Sequence, residues 1–279
     1  MSLKGGFKEI KFYMEAKNYL KNLLAILVAA IFHLQSFSQS ACFESLSDYS
    51  FNTAMSNMIC MTKGDFDNDG FQDVIMGQSV GTASLRFAKG LGNGKFNATS
   101  VIATTVQHRF VIAADFNNDG NLDVVHTAFN GVGSGVHYQS GNGNGTFSAT
   151  SNILAGNGSF GLTSGDYNND GNRDILVTKL GFVVLLTGNG AGGFVNAGNV
   201  VFGLAFRGIV SADFDLDGNL DIAATDATAA GVYVSYGNGA GAFSAPVFYA
   251  TGSGPEYITT ADFNGDGYFD LAVSNKTDG

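Results

Sequence analysis

Residues 65–73 read DFDNDGFQD, and this nine-residue pattern occurs four more times along the chain. The later copies read DFNNDGNLD at 115–123, DYNNDGNRD at 166–174, DFDLDGNLD at 213–221 and DFNGDGYFD at 262–270. Their first aspartates are 50, 51, 47 and 49 residues apart. A period of this length indicates one supersecondary unit that is used repeatedly, as in propellers and solenoids.

Each nonapeptide has the residues of a calcium loop. Positions 1, 3, 5 and 9 are always Asp or Asn, and position 6 is always Gly, which permits the sharp turn that such a loop needs. The main-chain oxygen of position 7 adds a ligand, so that with a water the loop supplies the roughly six to eight oxygens that Ca²⁺ takes. We therefore predict one Ca²⁺ per loop. The predicted ligands are Asp65, Asp67, Asp69, Phe71 and Asp73; Asp115, Asn117, Asp119, Asn121 and Asp123; Asp166, Asn168, Asp170, Asn172 and Asp174; Asp213, Asp215, Asp217, Asn219 and Asp221; and Asp262, Asn264, Asp266, Tyr268 and Asp270. Loops one and four carry four carboxylates against three elsewhere, and we expect them to bind most tightly.

Two other interpretations of the nonapeptide fit less well. Asn, Asp and Gly are common in ordinary turns, which accounts for one such stretch but not for five in phase. An EF-hand loop ends with a bidentate Glu at position 12 and continues into a helix. Position 12 here holds Met76, His126, Val177, Ala224 and Val273. The short apolar, β-branched runs after each loop predict strands instead.

The remainder of each repeat predicts three further strands and a glycine-rich turn. A strand enters the loop, one leaves it, and a third ends in Gly-Asn-Gly with a Phe shortly after it, at 92–96, 141–147, 188–194 and 237–243. Asn-Gly predicts a tight hairpin, and a weaker fourth strand follows, such as 100–103 or 247–249. Four antiparallel strands in about 50 residues make one blade of a β-propeller. We predict an all-β propeller of four-stranded blades, with the aromatic residue at position 2 of each loop packed between neighbouring blades.

Composition limits the function classes. The chain has 279 residues, 39 Gly, two Pro, no Trp and a formal net charge of −10. Seventeen of its 24 acidic residues lie in the five loops, where bound metal would neutralise them. This charge argues against nucleic acid as a partner.

The amino-terminal region predicts secretion. Lys17 and Lys21 precede an apolar run at 23–34 and a polar exit, which is the pattern of a signal peptide. We divide the chain into a signal peptide at 1–40 and a propeller domain at 41–279. The apolar run is shorter than the roughly 20 residues of a membrane span, so no span is expected after cleavage, although an uncleaved anchor is an alternative. In that compartment Cys42 and Cys60 form a disulfide or stay free, and lipidation of Cys42 is a third alternative.

The loops and turns together resemble the FG-GAP and VCBS-type repeats of integrin α-subunit propellers and of many secreted bacterial proteins. The resemblance covers residue 41 to the end of the chain. It implies calcium on one face and ligand binding on the opposite face or the side. The family usually builds seven blades, and this chain supplies four complete units and part of a fifth, so we expect further blades beyond Gly279. The segment at 43–51 is a candidate outer strand for the last blade.

The resemblance implies a secreted or cell-surface scaffold that binds an extracellular protein or carbohydrate, rather than an enzyme. Candidate display loops are 77–83, 129–135, 226–231 and the turns around Arg109, Phe160, Arg207 and Glu256. The histidines of the mature chain, His108, His126 and His137, have no recurring partner and are predicted to lie in the core or line a channel. One alternative is the non-catalytic propeller of a secreted polysaccharide- or lipid-degrading enzyme, and another is a spacer without a ligand.

Overall fold

The computed structural model describes residues 58–78, 84–97, 100–104, 108–129 and 133–276. The predicted signal peptide, Cys42 and the candidate strand at 43–51 lie outside these residues. The described part of the chain consists of strands, turns and bends without a helix, so it holds no helix able to cross a membrane.

The strands form four four-stranded sheets and one two-stranded sheet, and we call each sheet a blade. Blade one contains β1 (Met58–Gly64), β2 (Asp73–Gln78), β3 (Ser84–Ala88) and β4 (Ser100–Thr104). Blade two contains β5 (His108–Ala114), β6 (Asp123–Ala128), β7 (Gly135–Gln139) and β8 (Ser151–Ala155). Blade three contains β9 (Ser159–Gly165), β10 (Asp174–Lys179), β11 (Phe182–Gly188) and β12 (Phe194–Phe202). Blade four contains β13 (Phe206–Ala212), β14 (Asp221–Asp226), β15 (Gly231–Ser235) and β16 (Val247–Ala250), and blade five contains β17 (Pro255–Ala261) and β18 (Asp270–Asn275).

Each blade is an antiparallel meander in chain order. The nonapeptide connects its first strand to its second, and the ninth-position Asp begins the second strand, paired for example as Gly64↔Asp73 and Ala114↔Asp123. The first strands β1, β5, β9, β13 and β17 contact one another in sequence. All five loops therefore lie at the same end of these inner strands. The prediction of an all-β propeller with four-stranded blades is confirmed.

The hydrophobic core lies between adjacent blades. Three clusters of buried side chains each combine residues of two neighbouring blades, as where Phe116 and Val125 of blade two pack with Leu162 and Ile175 of blade three. In a fourth cluster, buried residues of blade four pack with partly buried residues of blade five. A single blade has two apolar faces and cannot bury both by itself, so stacking against its neighbours supplies the core.

The position-2 aromatic residue joins this core, as the sequence predicts. Phe66 is buried, and its ring centroid lies 5.8 Å from that of Phe147 in the next blade. Phe116 meets Phe194 at 5.8 Å, and Tyr167 meets Phe243 at 6.0 Å. The residue therefore anchors loops one to three on the glycine-rich turn of the following blade. Phe263 in blade five is exposed.

The glycine-rich turn differs from the predicted Asn-Gly hairpin. The turn begins at Gly90, Gly141, Gly188 and Gly237, which pair with Phe96, Phe147, Phe194 and Phe243. In blade one the turn therefore runs from Gly90 to Phe96, and its Gly-Asn-Gly at 92–94 begins two residues after the paired glycine. In the other three blades the Gly-Asn-Gly begins at the paired glycine itself. Positive φ falls on alternate glycines, such as Gly143 at 67° and Gly145 at 76°, and not on the Asn. The Asn142 N–H donates to the Thr146 carbonyl at 3.0 Å, which closes a wider turn than a two-residue hairpin.

Candidate metal centres

The first aspartate shapes each loop through hydrogen bonds to the loop's own backbone. Asp65 Oδ1 accepts the Asp69 N–H at 3.1 Å, and Asp65 Oδ2 accepts the Gly70 N–H at 2.8 Å. The corresponding pairs recur in the other four loops. The fifth-position carboxylate likewise accepts the seventh-position N–H, as Asp69 does from Phe71 at 2.9 Å. The polypeptide therefore orients its loop oxygens through its own backbone donors.

The ninth aspartate links the loop to the glycine-rich turn. Asp73 is fully buried and accepts the Phe66 N–H at 2.9 Å and the Gly90 N–H at 2.7 Å. The same two bonds form at Asp123, Asp174 and Asp221. Burial raises the pKa of the Asp73 carboxyl, although these N–H donors act to lower it. The aspartate at position 9 thus joins the nonapeptide loop to the glycine-rich turn of the same blade, and it also presents an oxygen to the loop.

Two loops bring three carboxylates together. Ligand atoms of Asp65, Asp67 and Asp73 lie within 4.8 Å of one another, and so do those of Asp213, Asp215 and Asp221. Asp67 Oδ1 is buried and has no hydrogen-bond partner among the described residues. Carboxylate clusters of this kind suit a hard divalent cation. The residues of loops one and four therefore fit a metal ion, and these are the two loops with four carboxylates.

Loops two and three carry an amide at position 3, where loops one and four have a carboxylate. The amide of this position-3 Asn donates to the carboxylate at position 5, from Asn117 to Asp119 at 2.9 Å and from Asn168 to Asp170 at 3.0 Å. Each Asn oxygen also accepts the fifth-position N–H. In loop five, Asn264 Oδ1 accepts the Asp266 N–H at 2.8 Å. These three loops offer fewer charges to a cation than loops one and four.

A lysine distinguishes loop one from loop four. Lys89 Nζ contacts the carboxylates of Asp67 and Asp69. Lys89 immediately precedes the first glycine of the turn, where the other blades have Ser140, Thr187 and Tyr236. In loop four the Asp217 carboxylate is instead hydrogen-bonded by the Asn219 amide at 3.0 Å. Loop four is consequently the four-carboxylate loop without a lysine partner among the described residues.

The seventh-position side chains connect successive loops. The Asn68 amide donates to Asn121 Oδ1 at 2.9 Å, and equivalent bonds join Asn118 to Asn172 at 3.2 Å and Asn169 to Asn219 at 3.0 Å. The donors occupy position 4, where φ is positive, at 57° for Asn68 and Asn118. Sequence reasoning considered only the main-chain oxygen of position 7, whose role as a ligand stays a prediction. The sequence does carry a signal for this pairing between loops: Asn occupies position 4 of loops one to three and position 7 of loops two to four.

The comparison with protein families matches this repeat. The model of the FG-GAP-like repeat matches residues 43–126, 128–177, 166–224 and 213–273. The chain belongs to the FG-GAP-like repeat family. No curated protein sequence matches it.

Solved structures share the fold of this FG-GAP-like repeat protein. An Agrocybe aegerita lectin that recognises non-reducing terminal N-acetylglucosamine has a TM-score of 0.56 at 19% identity, over 78% of this chain and 61% of the lectin chain. BBS1N, solved in complex with ARL6DN, has a TM-score of 0.55 at 14% identity, over 81% of this chain and 65% of its own. An auxiliary nutrient binding protein from Bacteroides thetaiotaomicron has a TM-score of 0.53 at 10% identity, over 78% of this chain and 52% of its own. The FG-GAP-like repeat protein therefore spans about half to two thirds of these chains, and the likeness is one of fold.

At the end opposite the loops, a buried threonine joins successive blades. Thr178 Oγ1 accepts the Gly161 N–H of its own blade at 2.7 Å and donates to the Arg207 carbonyl of the next blade at 2.5 Å. Thr127 and Thr225 make equivalent contacts. Sequence reasoning missed this residue, which lies four positions after the ninth Asp in blades two to four. Blade one has Gly77 there, where an added Cβ would lie only 2.4 Å from Cys60 Sγ.

Several predicted display residues meet at this opposite end and form what we call the arginine–aromatic cluster: Arg109, Phe129, Phe160, Arg207, Glu256 and Tyr257. The Arg109 guanidinium lies 5.0 Å from the centroid of the Phe129 ring, and that of Arg207 lies 4.1 Å from the centroid of Phe160. The two phenyl centroids are 4.7 Å apart. Residues 79–83 and 130–132 of the predicted display loops lie outside the described residues, and residues 226–231 form the β14–β15 connection.

The three histidines lie together across blade two. His108 Nδ1 and His126 Nδ1 are 3.2 Å apart, and the His126 and His137 rings stack with centroids 5.0 Å apart. All three side chains are buried, which confirms the core interpretation, while their mutual contact could not be read from the sequence. Burial lowers the pKa of His108 to about 4, and burial also lowers the pKa of His126 and His137.

Cys60 carries a free thiol in the structure. Its proposed disulfide partner Cys42 lies outside the described residues, so the disulfide stays a prediction. Burial raises the pKa of this thiol to about 12, which keeps it protonated and poorly reactive at neutral pH.

Proposed function

We propose that this protein is a secreted or cell-surface scaffold, stabilised by calcium, that binds an extracellular protein or carbohydrate without catalysing a reaction. The metal loops hold the blades, and the opposite end of the propeller presents side chains to the ligand. The signal-peptide pattern at residues 1–40 supports the location.

The arginine–aromatic cluster is the observation that supports a binding role. Its residues come from four blades: Arg109 and Phe129 from blade two, Phe160 from blade three, Arg207 from blade four, and Glu256 with Tyr257 from blade five. They converge where the inner strands begin. Surfaces that gather arginine and aromatic side chains are typical of binding sites. The structural neighbours that carry binding names, a lectin and a nutrient binding protein, agree with this role at the level of fold.

The acidic loops support the calcium part of the proposal. Loops one and four place three carboxylates within 4.8 Å, and the like charges repel one another until a cation joins them. Binding of Ca²⁺ there would tie the first strand of a blade to the second and stabilise the folded state by mass action. Extracellular calcium modules bind with Kd values of about 10⁻⁴–10⁻³ M, so millimolar calcium would occupy such sites.

A glycan array and a panel of extracellular matrix proteins, probed with the full chain in millimolar calcium, would test the binding role. Tyr257→Ala alters an exposed ring of the cluster, and Phe269→Ala removes a comparably exposed ring at the loop end. We expect Tyr257→Ala to weaken binding of any hit, while Phe269→Ala binds as the wild type does. Both variants should melt as the wild type does, because neither side chain is buried.

The opposite pattern, with binding lost in Phe269→Ala and kept in Tyr257→Ala, would place the ligand at the loop end and contradict the proposal. A complete lack of hits for the wild type would favour the spacer interpretation.

A further inference from the structure

Arg109 and Arg207 are the two cationic residues of the arginine–aromatic cluster, and in the described part of the chain neither lies within 4.0 Å of a carboxylate. Among the described residues, the ion pairs within 4.0 Å involve Lys89 and Lys276 only. Arg109 Nε is buried and has no hydrogen-bond partner. Buried donors are nearly always hydrogen-bonded in native proteins, so an unpaired guanidinium nitrogen indicates a position where an acceptor is missing.

The stacking leaves the donors of both guanidinium groups available. Each arginine packs one face on a phenyl ring, whereas its N–H groups lie in the guanidinium plane and point outward from its edges. Arg207 Nη1 uses one of them on the Phe206 carbonyl at 3.1 Å. The remaining edges match the two oxygens of a carboxylate, which arginine binds through paired N–H donors.

The two arginines are held in place by the fold. Each guanidinium lies over a phenyl ring, and the two rings contact each other. Thr178 Oγ1 donates to the main-chain carbonyl of Arg207 at 2.5 Å. Thr127 Oγ1 similarly donates to the Phe160 carbonyl at 2.8 Å. The main chain that carries these side chains is thus fixed before a ligand binds, which lowers the entropic cost of binding.

The local charge at this end is positive, although the protein as a whole is acidic. Glu256 is already paired with Lys276 at 3.6 Å, and Asp226 accepts four backbone N–H groups, from Leu204, Ala205, Thr228 and Ala229. Burial lowers the pKa of the Arg207 guanidinium, the charges of Glu256 and Asp226 act to raise it, and the positive charge of Arg109 lowers it. An anion bound to the arginines would offset their positive charge.

An exposed ring lies beside the arginines. Tyr257 is 47% exposed, and its ring centroid is 5.8 Å from that of Phe110, the residue after Arg109. Burial raises the pKa of the Tyr257 hydroxyl, and the positive charge of Arg109 acts in the opposite direction. A flat, exposed aromatic ring with a polar tip offers a surface on which a sugar ring can pack. This favours a saccharide over an extended peptide.

We propose that the arginine–aromatic cluster binds an acidic saccharide, with the guanidinium groups of Arg109 and Arg207 on its carboxylates and Tyr257 against a sugar ring. This inference rests on the proposed binding function and names the ligand class for the same face. The acidic loops lie at the other end of the inner strands, where they do not repel such a ligand.

The test is isothermal titration calorimetry of the full chain with a tetrasaccharide of alternating glucuronate and N-acetylglucosamine. The neutral comparison is the same tetrasaccharide with its carboxylates reduced to hydroxymethyl groups. We expect the wild type to bind the acidic form at least about tenfold more tightly, which corresponds to about 1.4 kcal/mol. The double variant Arg109→Gln/Arg207→Gln should lose this preference, and Arg109→Lys/Arg207→Lys should retain only part of it, because lysine lacks the paired donors.

Arg173→Gln is the matched control, because it removes an exposed arginine at the loop end and should keep the preference. Circular dichroism and thermal melting establish that each variant is folded. Equal binding of the acidic and reduced tetrasaccharides by the wild type, or binding of neither, would overturn the assignment. Tighter binding of a tetraglutamate peptide than of the acidic saccharide would overturn the saccharide class.

These failures are distinguishable from failure of the proposed function. If neutral saccharides or a protein bind and Tyr257→Ala weakens that binding, the face is a ligand site and only the carboxylate inference is wrong. If binding of no ligand depends on Tyr257, Arg109 or Arg207, the proposed binding face and the carboxylate inference are both wrong.

Discussion

Lys89 Nζ lies 2.7 Å from a carboxylate oxygen of Asp69 and also contacts Asp67. Loop one therefore contains a cation supplied by the protein itself. The two carboxylates raise the pKa of Lys89, beginning with the hydrogen bond to Asp67, so the ammonium stays charged at neutral pH. Loops one and four have the same carboxylates in sequence, but in the structure they present different net charges to an incoming metal ion.

Lys89→Ser should strengthen calcium binding at loop one. Without the ammonium group, the carboxylates of Asp67 and Asp69 are free to bind the metal, and a positive charge that repels Ca²⁺ is gone. We expect the affinity for calcium to rise about tenfold. The melting temperature should fall in chelator, because the carboxylates are then unpaired, and recover in millimolar calcium. Differential scanning fluorimetry across a calcium titration measures both effects. Lys95→Ser, which removes an exposed lysine of the same turn, is the control, and an unchanged calcium midpoint in Lys89→Ser would contradict the competition.

Chelation should lower the melting temperature of the wild type, and loop four should account for much of the effect. Asp215 belongs to the carboxylate cluster that has no lysine partner. Asp215→Asn retains the oxygen but removes a charge, as in loops two, three and five. We expect it to reduce the stabilisation by calcium, measured as the difference in melting temperature between calcium and chelator. An Asp215→Asn protein that responds to calcium as fully as the wild type would show that loop four is not the main site.

Leu216 is a position where a substitution should stabilise the protein. Its φ is 62°, in the left-handed region, where the equivalent residues of loops one to three are Asn. A leucine there costs about 1–2 kcal/mol relative to a residue that tolerates this conformation. Leu216 is 53% exposed, so it contributes little packing. Leu216→Gly should therefore raise the free energy of unfolding by about 1 kcal/mol.

The reciprocal change, Asn118→Leu, should destabilise the protein. It introduces the same strain at φ 57° and removes the bond to Asn172. Denaturant unfolding measures both variants in parallel. If Leu216→Gly has no effect while Asn118→Leu destabilises, the strain at position 4 is negligible and the asparagine bond alone matters.

Thr178→Val should destabilise the contact between blades three and four. It removes the partner of the Gly161 N–H and of the Arg207 carbonyl. Buried groups left unpaired cost about 1–3 kcal/mol. Thr178→Ser keeps the hydroxyl and should lose much less, so the difference between the two variants in denaturant unfolding reports the hydrogen bonds rather than the packing.

The histidine group of blade two should make stability fall in acid. His108 has a pKa of about 4 when folded, against an ordinary value of 6.5. Between these pH values the unfolded chain takes up a proton that the folded protein does not, so the free energy of unfolding decreases as the pH falls. For this one residue the loss is on the order of 3 kcal/mol by pH 4. Urea unfolding at several pH values between 4 and 7 measures it.

His126→Val isolates this effect, because blade three has Val177 at the equivalent position. The control is needed since the buried ninth-position carboxyls have raised pKa values, and a raised carboxyl pKa gives the opposite slope. His126→Val should show a weaker dependence on pH than the wild type. The same slope in both proteins would assign the acid sensitivity to other groups.

Much of this protein follows from the sequence because it is periodic. Five copies of one oxygen-rich nonapeptide, each followed by a β-branched run, are enough to predict the repeat, the four-stranded blades and the two loops in which three carboxylates meet. These features are local, since residues at positions 1, 3 and 9 of one loop are brought together by the turn at its glycine. The interblade position of Phe66 and its equivalents was also predictable, because an aromatic residue recurs at position 2 of every loop.

The features that differ between blades depend on contacts distant in sequence, and only the tertiary structure determines them. Lys89 reduces the negative charge of loop one because the turn of blade one folds back over that loop, and its partner Asp67 is 22 residues away in sequence. Arg109 and Arg207 belong to one cluster because the inner strands of blades two, three and four lie side by side, which places residues from different repeats together. A repeated sequence predicts what its units share, whereas the contacts made by the exceptional residues arise from how those units are stacked.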